Sequence, residues 1–256
     1  MPWQKSWLDT RWRFVIPLLV LVLNVWGLLF EYPRVAELLR TVQLQPDALS
    51  ETGALGRAIL ESVSAERTYR GYVWYQWFRN NLSQLGTLMA VLLGSGNLLS
   101  GSTGAGTLFT LSLPRSRDAW VAARAAVGLG ELLILIAIPS LEIVLVSPLI
   151  GQSYALSDAA VQVVCAFGVC AAFFSLAVLL STIFVDTWRP FLIAGGSAVI
   201  VSLVESQLAL NGPFRVMSGA TYFAGGVVPW VGLTISAAIA IGLLYSAAFN
   251  LSRQDF

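Results

Sequence analysis

Three acids interrupt otherwise apolar runs: Glu131 in GELLILIAI, Glu142 in PSLEIVLV and Glu205 in VSLVESQL. An acid at mid-membrane depth costs about 2.5–3.5 kcal/mol on insertion scales, so each needs a physical reason. Glu131 and Glu142 are eleven residues apart, about three helical turns, so they share one face. One reading is a polar face along a substrate path, suited to cationic or polar cargo. The other is hydrogen bonding between helices, or carboxyls kept protonated by desolvation. The chain has no histidine, which removes His-ligated metal sites, His general bases and Ser-His-Asp chemistry. Cys165 and Cys170 are five apart in an apolar stretch. On a helix that is roughly 7–8 Å along the axis and on different faces, beyond a disulfide's reach. They read as small buried residues. No catalytic, cofactor-binding or metal-ligating residue is expected, and Met89, Met217 and the tryptophans form no cofactor box.

The elements that hold these acids are set by composition. Of 256 residues 57% are hydrophobic and 11% charged, against about 25% charged in a soluble domain. Too few charges remain to cover a water-facing surface. A net charge of +1 without a basic tail argues against a nucleic-acid partner. A spanning helix needs about 20 mostly apolar residues. Six such segments are read, at about 14–30, 80–99, 120–146, 159–184, 190–210 and 228–249. Glu131 falls near the middle of the third, Glu142 nearer its outer end, and Glu205 toward the outer end of the fifth. Pro139 and Pro148 are placed to kink the third span near this face. The fold class is therefore an all-α integral membrane protein with about six transmembrane helices in one domain, 1–256. Both termini are placed in the cytoplasm of a multi-pass cell-membrane protein by the positive-inside rule. That side holds Lys5, Arg11, Arg13, Arg115, Arg117, Arg124, Arg189 and Arg253.

Residues 31–78 form the largest polar insert, read as extracellular. Counted to Arg79, it balances six arginines against six acids. Val35, Leu38, Leu39 and Val42 repeat at helical spacing, and Leu55, Ile59 and Val63 propose a second short helix. Tyr72, Trp74, Tyr75, Trp77 and Phe78 read as an interfacial belt, with gating of an outer exit as its functional reading. The glycine-rich stretch 211–229 is read as a re-entrant piece, since irregular backbone at membrane depth must be buried or wet. Small-residue runs such as Gly195-Gly196-Ser197-Ala198 and Gly225-Gly226 permit close helix approach.

The most informative block is Gly106-Thr107-Leu108-Phe109-Thr110-Leu111-Ser112-Leu113-Pro114-Arg115-Ser116-Arg117, within a connecting segment at 100–119. Pro114 suits a first helical turn and Ser112 its cap. The block alternates apolar and small polar residues and ends in two arginines. Such a piece can lie along a membrane surface with its arginines toward headgroups or a partner. The bland reading is an ordinary surface loop.

This block resembles the pattern Gly-Thr-Leu, a few apolar residues, then Leu-Ser-x-Pro-x-Ser-Arg of permease subunits of type-2 ABC exporters. The leader with Trp12-Arg13, the long insert between spans one and two, the glycine-bearing loop before span six and the Ser252-Arg253-Gln254-Asp255-Phe256 ending also fit that family. Family members commonly carry an acid four positions before the Gly of Gly-Thr-Leu; Ser102 stands there. The resemblance implies that the block is an amphipathic cytoplasmic coupling helix. Its contacts with the ATPase would come from Gly106, Thr107, Leu108, Ser112, Leu113, Pro114, Arg115, Ser116 and Arg117. It also implies two ATP-binding cassette ATPase subunits, and a second permease subunit, identical or homologous. ATP and Mg would be held by the ATPase partners and not by this chain, which lacks a Gly-x-x-x-x-Gly-Lys-Ser/Thr loop and whose only lysine is Lys5. Membrane lipid is the remaining partner. Two alternatives stand beside it. One is a self-contained channel or secondary transporter using a polar face at Glu131, and the other is a membrane-embedded enzyme such as an intramembrane protease. The first leaves the 106–117 block unexplained, and against the second stand the missing histidine and the lack of an acid pair close in sequence on two facing spans.

Overall fold

A computed structural model of the chain describes residues 2–41, 63–95, 117–184, 186–208 and 212–253. All the long elements among these are helices, and five are long and apolar enough to cross a membrane: Arg11–Leu39, Val121–Ile150, Leu156–Ser181, Trp188–Leu208 and Trp230–Ser252. The protein is thus all-α and of multi-pass membrane character.

The first helix, α1, runs Pro2–Thr41 without a break. The sequence divides this stretch into a span and a separate amphipathic helix after Pro33. The structure fuses them, although Pro17 and Pro33 each remove a backbone donor. Packing flanks Pro33 on both sides: Tyr32 contacts the rings of Tyr69 and Tyr72 at 4.9 and 5.0 Å, and Val35 packs against the core. At 40 residues α1 is about 60 Å long, twice a bilayer's hydrocarbon thickness, so it projects well beyond its apolar part.

The second helix, α2, is composite. Tyr69–Val73 leads into a π-helical stretch, Trp74–Asn81, and then an α-helical part, Leu82–Gly94. Its start is capped by Thr68, whose hydroxyl accepts from the Gly71 amide at 3.1 Å. The wide register is recorded by Leu82, whose N–H reaches the carbonyl of Trp77, five residues back. Trp74, Trp77 and Phe78 of this stretch are all buried in the core. The purely α-helical part has only 13 residues, which is why α2 is not among the five long apolar helices.

The remaining long helices are α3 (Arg117–Val146, closed by the 3-10 turn Ser147–Ile150), α4 (Leu156–Ser181), α5 (Trp188–Leu208) and α8 (Trp230–Ser252). Two short helices, α6 (Pro213–Met217) and α7 (Ala220–Gly225), lie between α5 and α8. The helix of α3 continues through Pro139, and Pro148 opens the closing 3-10 turn. The stretch predicted as re-entrant is these two helices in its described part. Its Met217 is fully buried and its sulfur receives a contact from the Thr87 hydroxyl at 3.7 Å.

Helix α4 is the hub. It packs against α2, α3, α5, α6 and α8, while α1 packs chiefly on α3. Its buried Cys165, Ala166, Val169, Cys170, Phe173, Phe174, Ala177 and Val178 run along the helix at the spacing of a wide apolar stripe. Small members of that stripe allow close approach where hydrophobic driving force between helices is weak. Both cysteines are free and buried. Helix α5 is the least enclosed of the five. Hydroxyls inside the helices bond back to the preceding turn, as Thr87 does to Ser83 and Ser140 to Ile136, both at 2.7 Å.

Successive long helices alternate in direction, giving the bundle two ends. One is rich in tyrosine: Tyr32, Tyr69, Tyr72 and Tyr154 meet there. At the other, Arg124 donates to the Leu93 carbonyl at 3.2 Å and Asn250 to the Thr182 hydroxyl at 3.0 Å.

Candidate functional site

Of the block singled out by sequence, Gly106, Thr107, Leu108, Ser112, Leu113, Pro114, Arg115 and Ser116 lie outside the described residues, and Arg117 opens α3. Its flanks are described. Helix α2 ends at Gly94 and α3 begins at Arg117, and the Arg124 guanidinium ties α3 to the last turn of α2 through Leu93. A cation donating to a helix's last carbonyls is favourably placed in its dipole. Both anchors of the connecting segment are therefore clamped together at the end opposite the tyrosines.

The three acids meet different surroundings. Glu131 is only 3% exposed, on a face of α3 that also buries Leu132 and Leu135. Glu142 is half-buried where α3 meets α1, with the Trp26 indole of α1 beside its carboxylate. Glu205 accepts from the backbone amides of Phe214 and Arg215, at 2.9 and 2.7 Å. It caps α6 from a neighbouring helix, as a carboxylate at a helix start should. For Glu142 and Glu205 these contacts are of the helix-to-helix kind.

The tyrosine-rich end carries a polar network. Arg70 of α2 pairs with Asp158 of α4 at 2.6 Å, and Tyr222 of α7 donates to the same carboxylate at 3.0 Å. Trp74 stacks flat on Phe223 at 4.1 Å and its indole donates to the Ser218 carbonyl at 2.8 Å. Tyr69 and Ser147 share a 2.5 Å hydrogen bond, and Tyr72 donates to the Leu28 carbonyl at 3.0 Å. The aromatic cluster predicted as an interfacial belt is in fact largely buried: Trp74, Trp77 and Phe78 are core residues. Trp74 is covered by Phe223 of α7, and Phe78 faces Tyr154.

Between α1 and the π-helical part of α2 lies an open groove of about 500 Å³. Asn24 and Glu31 line one wall, Gln76 and Asn81 the other. Gln76 donates to Glu66 at 2.7 Å. Burial raises the Glu66 carboxyl above the ordinary carboxylate range, and the Gln76 bond partly offsets that. Sequence reading passed over these residues. The signal was present: Asn24, Gly27 and Glu31 recur at i, i+3 and i+7 inside or beside an apolar run. The π register that adds Gln76 and Asn81 leaves no such trace.

Comparison with protein-family models, with curated proteins and with solved structures finds no match for this chain.

Proposed function

We propose that the chain is the transmembrane permease subunit of an ATP-driven exporter of the type-2 ABC kind, with six spans, α2 counting as the sixth. It works with two separate ATPase subunits and a second permease copy or homologue in a cell membrane. The observation that carries this reading is the Gly106–Arg117 block. Its anchors are consistent with the role: α2 and α3 are tied together by Arg124 and Leu93 at one end of the bundle. A push on a segment so clamped is delivered to two packed helices at once. Packed bundles respond to such a push by switching between discrete arrangements, here inward-open and outward-open. On this reading ATP and Mg belong to the partners, this chain carries no catalytic site, and both termini are cytoplasmic.

The test is a pull-down from detergent-solubilised native membranes, with subunits identified and ATPase activity assayed, on wild type beside a Leu113→Asp/Arg115→Glu variant. An ATPase that accompanies the wild type and is lost in the variant establishes the permease role and its docking segment. A wild type that purifies alone in repeated preparations overturns it in favour of a self-contained channel or secondary transporter.

A further inference from the structure

Asn24 and Glu31 are exposed although they lie within the candidate span Arg11–Leu39. Amide and carboxylate groups facing hydrocarbon are disfavoured unless they meet a polar partner or water. They do not sit on a featureless face. They line a groove of about 500 Å³ whose other wall supplies Gln76 and Asn81, a volume in the range of small-molecule sites. That second wall is π-helical over eight residues, a rare geometry that concentrates at functional sites.

The groove's chemistry selects its occupant. The Tyr72 hydroxyl donates to the Leu28 carbonyl and one Gln76 amide N–H to Glu66. Among the described residues, the Glu31 carboxylate is the one charged group lining the space, beside the amides of Asn24, Gln76 and Asn81. The Glu66 carboxylate stands behind Gln76 and adds negative potential. Leu23 and Val35 supply apolar wall beside them. Acceptors and negative charge beside apolar surface match a protonated amine on an apolar body.

We propose that the groove between α1 and the π-helical part of α2 binds amphiphilic primary amines, with the ammonium at Glu31 and Gln76 and the apolar body along Leu23 and Val35. On the permease reading, on which its meaning as a cargo site rests, such amines are the transported class. A free amphiphilic amine and an ethanolamine lipid headgroup share this chemistry.

The probe is dansylcadaverine, a fluorescent primary amine, titrated onto the purified full chain in phosphatidylcholine nanodiscs and followed by energy transfer from tryptophan. Dansylamide, which lacks the amine, is the control. Wild type should bind dansylcadaverine saturably and dansylamide not at all. Glu31→Gln and Asn24→Leu should each weaken binding about tenfold, the scale of one lost charged or buried hydrogen bond. Glu37→Gln, an exposed acid of α1 outside the groove, should leave it unchanged. Thermal midpoints of the variants within a degree or so of wild type exclude unfolding as the cause. Replacing phosphatidylcholine with phosphatidylethanolamine identifies the source: a weaker probe affinity assigns the seat to the lipid headgroup, an unchanged one to free amines. Non-saturable uptake that is equal in all variants, or an equal loss in Glu37→Gln, overturns the proposal. No ATPase is present, so binding without ATPase co-purification, or the reverse, separates this site from the permease reading.

Discussion

The ring of Phe174 in α4 packs on the bare backbone of Gly128 in α3, so closely that a Cβ there would lie 2.5 Å from its Cζ. The same residue's carbonyl oxygen would lie 2.5 Å from a Cβ at Gly94 of α2. Phe174 is fully buried, so its ring has no free direction in which to yield. Gly→Ala in a helix gains up to about 1 kcal/mol of propensity, whereas overpacking costs about 1–3 kcal/mol. We expect packing to win: both Gly94→Ala and Gly128→Ala lower the thermal midpoint in detergent. Gly94→Ala does more harm, because it meets backbone. Adding Phe174→Leu should recover Gly128→Ala and not Gly94→Ala.

The Trp26 indole of α1 lies beside the Glu142 carboxylate of α3, placing its N–H to pair the two helices. Trp26→Phe keeps most of the apolar surface and removes the donor, leaving a half-buried carboxylate short of a partner. The expected cost is about 1–3 kcal/mol. Glu142→Leu in the Trp26→Phe background should return much of it, since an apolar pair has nothing to satisfy. A double-mutant cycle on thermal stability reads the coupling, and simple additivity would remove Glu142 from the α1–α3 contact.

Much of this architecture was legible in the residue order. The apolar runs at about 120–146, 159–184, 190–210 and 228–249 foretell α3, α4, α5 and α8 to within a few residues, because length and hydropathy alone decide them. The joining of 33–41 to α1 was not legible. Pro33 signals a break locally, and the contacts of Tyr32 with Tyr69 and Tyr72 that outweigh it are long-range. The π register of Trp74–Asn81 was hidden as well: its buried rings, Trp74, Trp77 and Phe78, stand at i, i+3 and i+4, the spacing of an ordinary helical face, so their order announces no wider turn. For the intramembrane acids, charge in an apolar run marked the positions. What Glu205 holds, the amides of Phe214 and Arg215 nine and ten residues on, depends on how the chain turns back.

Arg70 and Asp158 connect α2 to α4 at 2.6 Å, with the Arg70 side chain 48% and the Asp158 side chain 14% exposed. Solvent at the arginine limits the pair to about 0.5–1 kcal/mol of coupling. Asp158→Ala should cost more than Arg70→Gln, because the same carboxylate also accepts from Tyr222. Adding Tyr222→Phe to Asp158→Ala should then add little. Thermal midpoints of the singles and doubles check the order, and equal single costs would dismiss the three-way arrangement.

Glu205 supplies one oxygen to each of two amides at the start of α6. Glu205→Gln keeps one acceptor oxygen and Glu205→Ala keeps none, so protection should fall in that order. The expected cost of the full loss is about 1–2 kcal/mol, the range of a strong helix cap. The effect should be local: hydrogen exchange at Phe214 and Arg215 accelerates while α4 amides keep their protection. Unchanged exchange at those two amides in Glu205→Ala would refute the capping role.

Glu66 is half-buried beside α2 and accepts from Gln76 at 2.7 Å. Desolvation raises its carboxyl above the ordinary value and the Gln76 bond offsets this only in part. The sign follows from linkage. A carboxyl harder to ionise in the fold than in the unfolded chain contributes stability at low pH, and that contribution is lost as pH rises through the raised value. Glu66→Gln keeps an acceptor for the Gln76 amide and removes the titration. The two proteins should therefore differ least in melting midpoint at about pH 4 and diverge as the pH climbs toward about 7, with the variant the more stable. A gap that is constant across that range, or that closes as pH rises, would show that burial does not govern this carboxyl.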